Sequence, residues 1–162
     1  MGSAIRANLN KDATGRIEVK NNVINIGSDD AGIDLSAIGK TTANPGGATN
    51  TLDATVTGNT ITIGATSTYG VVIIVASNAG DTNAACSNVA TNAVTRNPSS
   101  IASFRARVAS ANGFFKMNGF ATDAGITWNN NGNTPPNDST FGGSGTFGAC
   151  TAALPTNPGV TP

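Results

Sequence analysis

Apolar and polar residues alternate in short runs along the first half of the chain, and Asn and Gly break the runs. The segment 16–20, "RIEVK", sets Ile17 and Val19 against Arg16, Glu18 and Lys20, the period of a strand with one wet face. Asn21-Asn22 can fill the two positive-φ positions of a type I′ turn, and "VINI" then returns with Ile24 and Ile26 on one face. The pattern recurs. "VKNNVINIG" (19–27) is matched 37 residues later by "VTGNTITIG" (56–64), preceded by "TLDATVT" with Leu52, Ala54 and Val56 on one face. A stacked solenoid is expected to repeat at least three times. "KMNGFAT" (116–122) shares only the turn, so the pair reads as two hairpins of one antiparallel sheet.

"VVIIVA" (71–76) does not alternate, which predicts a central strand covered on both faces. Elsewhere the spacing predicts helices. Ser3–Ala13 reads as a short N-terminal one and Leu35–Ile38 as a single turn. Asp81–Val94 places Cys86, Val89, Ala90 and Ala93 on one stripe. After Ser99 or Ser100 as cap, Ile101, Phe104 and Val108 recur at i, i+3 and i+7, and Asn112-Gly113 closes that helix. Asn118-Gly119 is a further hairpin signal, "AGITW" (124–128) a strand, and the Gly-rich segment beyond it a long loop or a loose edge. The expected fold is therefore α+β: one domain over residues 1–162, dominated by an antiparallel sheet, with one or two short helices.

Composition supports the weight on β structure. Charged residues are 11% of the chain, and 22 Thr, 21 Asn and 20 Gly supply the polarity, with Gln absent and Glu18 the sole glutamate. Glu, Lys, Arg, Gln and Leu, most of the strong helix formers, are scarce, while Thr suits a pleated surface and Asn and Gly suit turns. A net charge of zero argues against an extended phosphate-binding surface, so nucleic acid is not an expected partner. Arg96, Arg105, Arg107 and Lys116 form a local excess, read as solvated positions on and beside a helix. No apolar run reaches transmembrane length, and any membrane attachment would need a segment absent from this chain.

Two cysteines, Cys86 and Cys150, stand 64 positions apart. A bridge between them would bound residues 86–150 and close a loop worth roughly 4 kcal/mol in the chain-entropy model. The alternative is a pair of free thiols in a reducing compartment.

Candidate chemistry is sparse. The chain has no His, which removes Ser-His-Asp, Cys-His and His-metal geometries. No carboxylate pair stands in a motif, so no catalytic residue, metal or cofactor is expected and the chain reads as non-enzymatic. Asp29, Asp30 and Asp34 gather near a Gly-rich turn but lack EF-hand spacing, and read as solvated turn carboxylates. Gly39-Lys40-Thr41 ends like a phosphate loop whose first Gly is missing. Trp128 beside Asn129, Asn130, Asn131 and Asn133 could form an aromatic platform with amide donors for a sugar; a core anchor is the other reading of the Trp.

The strand "YGVVIIVAS" (69–77), a turn, the predicted helix "NAACSNVATNAV" (83–94) and a second Cys twelve residues from the end together resemble the globular domain of a type IV pilin or pseudopilin of the type IVb class. The resemblance covers about Val71–Cys150. It implies an extracellular or cell-surface bacterial subunit, periplasmic before assembly, whose partners are other copies or pilin-like subunits in a filament. It also implies a disulfide around a variable, exposed region. Another surface or phage structural β protein, or a carbohydrate-binding module using Trp128 and the Asn-rich loop with surface glycans as partners, are the alternatives.

Overall fold

The computed structural model of the chain describes residues 2–27, 31–38, 49–64, 69–76, 81–97, 99–109, 112–118 and 139–155. Its elements are β1 (Ile5–Leu9), β2 (Thr14–Lys20), β3 (Val23–Ile26), β4 (Ala31–Ile38), β5 (Thr49–Thr57), β6 (Thr60–Ile63), β7 (Tyr69–Ala76), β8 (Thr82–Ala90), β9 (Ala93–Arg96), β10 (Ala102–Val108), β11 (Phe114–Met117), β12 (Ser139–Gly143) and β13 (Thr146–Ala149). No helix occurs among the described residues.

Every strand pairing among the described residues is parallel. The first sheet runs β1-β4-β7-β10-β12, the second β2-β5-β8-β11-β13, the third β3-β6-β9. The chain visits the three sheets in turn and then starts again one strand further along, so it winds a β-solenoid. Coils one to three contribute a strand to each sheet; coils four and five contribute β10, β11 and β12, β13.

This overturns both the antiparallel α+β expectation and the pilin resemblance, whose fold carries an N-terminal helix. The segment Ser3–Ala13 holds β1, Leu35–Ile38 belongs to β4, Asp81–Val94 is β8 running into β9, and the segment after Ser100 is β10. "RIEVK" and "VINI" are strands, as their alternation predicts, but they pair with β5 and β6 of the next coil and not with each other. Val71–Ala76 does lie in the middle strand of the first sheet. The Asn118-Gly119 hairpin signal follows β11 without a hairpin partner, since β11 pairs in parallel with β8 and β13.

The core follows from stacking. Alternate residues of each strand point inward, and parallel register sets like above like at the ordinary spacing of about 4.8 Å. Ile5, Ile33, Val71 and Phe104 form one column of the first sheet, and Ala7, Leu35, Ile73 and Ala106 the next. Val19, Val56 and Val89 stack in the second sheet, and Ile24, Ile61 and Val94 in the third. β-Branched residues suit this site because their stiff side chains meet identical neighbours without losing much rotamer freedom. The Ile26–Ile63 column ends on Arg96, whose Nη1 donates to the Ser100 carbonyl at 2.7 Å.

The corner between the second and third sheets is built from one left-handed residue and one buried amide. Asn21, Gly58 and Thr91 have φ of 56°, 66° and 56°. Each is followed by an asparagine, and Asn22, Asn59 and Asn92 stack as a ladder. The Asn59 Oδ1 accepts from the Asn22 backbone N and Nδ2 at 3.0 and 2.9 Å, and the Asn92 Oδ1 accepts from the Asn59 N and Nδ2 at 3.1 and 2.8 Å. The amide nitrogens also satisfy corner carbonyls: Asn59 Nδ2 donates to Val19 O, and Asn92 Nδ2 to Val56 O. A turn leaves backbone groups without sheet partners, and buried ones are costly unless paired. The ladder pairs them at each level.

A shorter ladder stands where the chain enters the second sheet. The Asn50 Oδ1 accepts from Ala13 N, and the Asn83 Oδ1 accepts from Asn50 N and Nδ2.

Cys86, in β8, and Cys150, just beyond β13, are joined by a disulfide with Cα atoms 6.0 Å apart. β11 lies between their strands, so the bridge ties coil three to coil five across coil four.

A candidate binding groove on the first sheet

Residues that alternate outward from the first sheet fall into rows across the coils. Arg6, Asp34, Val72 and Arg105 occupy successive register positions on β1, β4, β7 and β10. Three inter-strand steps put the Cα atoms of Arg6 and Arg105 roughly 14 Å apart. Tyr69 packs beside this row with Ala31, Val72 and Ala102 in a small apolar cluster separate from the core, against which Ile74 also rests. Together with Ile101, which is 57% exposed, these side chains apart from Ala102 line a groove of about 340 Å³.

Its two ends differ. At one, Arg6 Nε lies 3.2 Å from Asp34 Oδ2, and the Asp34 side chain is largely buried while that of Arg6 is half exposed. The parallel register forces the pair, since the two residues are direct partners on β1 and β4. At the other end the Arg105 guanidinium lies 5.0 Å from the Tyr69 ring centroid and its Nη1 donates to the Tyr69 hydroxyl at 2.8 Å. Tyr69 is only 8% exposed, so its ring is fixed and holds the guanidinium in place. Between the ends the floor is aliphatic.

Arg105 offers five N–H donors in a rigid fork, of which the Tyr69 hydroxyl engages one nitrogen among the described residues. The Asp34 carboxylate, held by Arg6, is an acceptor for hydroxyl or amide donors. The groove can thus bind a molecule with an anionic group at one end, hydroxyls at the other and an apolar face between.

The expected ligand surface, Trp128 with Asn129, Asn130, Asn131 and Asn133, lies outside the described residues, as do Asp29, Asp30, Gly39-Lys40-Thr41 and the strand expected at 124–128. Asp34 is not a solvated turn carboxylate. It sits inside β4, 8% exposed, against a guanidinium. Arg105 and Arg107 project from a strand, and Lys116 stands on β11 of the second sheet. Among the described residues no three His, Cys, Asp or Glu side chains are grouped to hold a metal ion, and no helix is long and apolar enough to cross a membrane.

The groove could have been suspected from sequence only once the coils were aligned. Arg6, Asp34, Val72 and Arg105 are separated by unequal intervals, and nothing local joins them. No family model, curated protein or solved structure matches the chain.

Proposed function

We propose that this chain is a non-enzymatic structural or adhesive subunit of an extracellular surface, cellular or viral, that works by presenting side chains on a rigid solenoid. The disulfide carries this reading, since such bonds persist in oxidising compartments. Low charge adds support: faces rich in Thr, Asn and Ala permit close packing against other subunits or a matrix with little electrostatic repulsion. Among the described residues Asp34 pairs with Arg6 and Asp53 with Arg16, each carboxylate facing a cation, which fits a binding surface better than an acid–base pair.

A carbohydrate-binding role is the second reading, favoured by the groove over the first sheet. In both readings the partners are surface glycans or neighbouring subunits.

The test is location and redox state together. Antibody labelling of intact source cells or particles, with thiol trapping before lysis, should find the protein on the surface with both cysteines oxidised. A cytosolic pool with two alkylatable thiols would sink the proposal.

A further inference from the structure

We infer that the groove over β1, β4, β7 and β10 is a site for an acidic saccharide, one sugar ring bearing a carboxylate. This assignment deepens the adhesive reading and rests on it for the choice of a surface ligand.

The chemistry divides along the groove. Arg105 is the anion-binding end. Its guanidinium is pre-set by the Tyr69 ring and hydroxyl, so little side-chain freedom is lost when a carboxylate arrives, and the planar fork suits bidentate contact. The Arg6–Asp34 pair is the hydroxyl-binding end. A sugar hydroxyl donates and accepts at once, and the pair presents a carboxylate acceptor beside guanidinium donors. Val72, Ala31 and Ile74 between them form an aliphatic floor for the C–H face of a pyranose.

Size agrees. A volume of about 340 Å³ lies at the small end of ligand pockets, suited to one or two rings and too small for an extended chain.

A peptide bearing a terminal carboxylate is the competing occupant, and the position of the groove disfavours it. Peptides that bind sheets gain affinity by adding a strand at an edge. This groove lies on a sheet face across four strands, three of them paired in register from β4 to β10, so their backbone groups are already engaged in the ladder. A saccharide needs only the side chains.

The probe is a matched pair, methyl β-D-glucuronide and methyl β-D-glucoside, which differ only in carboxylate against hydroxymethyl. Dissociation constants for both come from saturation-transfer NMR on the intact, oxidised protein. The glucuronide should bind about tenfold tighter or better, the usual scale of one charged hydrogen-bonded contact. Arg105→Gln should remove that preference, and Arg107→Gln, one outward position further along β10, should leave it intact. Arg105→Lys keeps the charge without the fork and should fall between. It also serves as the deciding variant if the Gln replacement fails to fold.

Equal binding of the two glycosides overturns the assignment, as does no binding of either, or a preference that survives Arg105→Gln. Equally tight binding of N-acetyl-dialanine overturns the saccharide class. The two proposals fail separately. A cytosolic protein that still prefers the glucuronide loses the adhesive reading alone, and a surface protein without the preference loses the ligand alone.

Discussion

Replacing Asn59 by Ala removes the middle rung of the longer ladder, and its cost can be worked from the bonds that rung makes. The side chain accepts from Asn22 N and Nδ2 and donates to Val19 O at 2.9 Å, Asn92 Oδ1 at 2.8 Å and Thr57 O at 3.2 Å. One Nδ2 has two hydrogens for three acceptors, so four of the five bonds carry most of the energy. At about 1 kcal/mol net for each, the loss is about 4 kcal/mol, a large share of a small domain's stability. The residue is 1% exposed, so water cannot easily take over. Asn22 is the matched control. It is the first rung, half-buried, and among the described residues its side chain donates to Asn59 Oδ1 and to the Lys20 carbonyl at the surface. Its backbone N keeps its bond to Asn59 when the side chain is cut, and Asn22→Ala should cost about 1 kcal/mol. Urea unfolding of the oxidised protein measures both. With a slope near 2 kcal/mol/M, the midpoint should fall by about 2 M for Asn59→Ala and about 0.5 M for Asn22→Ala. Equal shifts for the two variants, or a loss below about 1 kcal/mol at Asn59, would refute the claim that the ladder holds the corner.

Three further outcomes test other parts of the fold. Gly143 in β12 has φ 121°, and a Cβ there would fall on the Val108 carbonyl oxygen, whereas a Cβ at Gly142 meets nothing within 4 Å. Gly143→Ala should lower the melting temperature by several degrees, about 2 kcal/mol, and Gly142→Ala should leave it within about 0.5 kcal/mol. Reduction of Cys86–Cys150 should cost up to about 4 kcal/mol, and hydrogen exchange should speed up first at β12 and β13. Arg16→Gln should change stability by less than about 1 kcal/mol by thermal scan, because Arg16 Nε lies 3.8 Å from Asp53 at a solvent-screened site.

Much of the strand content was legible, and the way strands pair was not. "VKNNVINIG" and "VTGNTITIG" mark true solenoid corners, and a third copy exists at Val89–Arg96, "VATNAVTR". It escapes notice because it follows at 33 residues instead of 37, with Val for Ile, Thr for Gly and Arg at the last apolar position. Unequal coils are physically cheap, since lengthening a loop adds little closure entropy. The Asn-Asn and Gly-Asn dipeptides do signal a left-handed residue, but only the first of each pair takes positive φ. One such residue turns a corner into a new sheet, whereas a type I′ hairpin needs two.

The mistaken helices have a different cause. In β8 the buried positions are Asn83, Ala85, Ser87 and Val89, a clean period of two. Two of the four are polar, so an apolar-only pattern misses them and finds a helical stripe through Cys86 instead. In β10, Phe104, Ala106 and Val108 point inward, but Phe104 and Val108 also fit a helix with Ile101. Small side chains at alternate inward positions left the larger ones to suggest the wrong period. The disulfide needed no register, only two cysteines and a loop-rich composition. The groove needed the complete coil alignment, so no local motif could reveal it.

The Cys86–Cys150 bridge also bears on mechanics. A solenoid pulled from one end ordinarily peels coil by coil, breaking a few hydrogen bonds at a time. Tension applied beyond Cys150 reaches β8 through a covalent path and bypasses the β8–β11 and β11–β13 ladders. The last two coils hang slack behind the staple, and load falls on the nine-residue strands β5 and β8, paired along their whole length. For a subunit anchored at one end and tugged at the other, that moves the yield point inward from the tip, to the part of the fold with the longest continuous pairing.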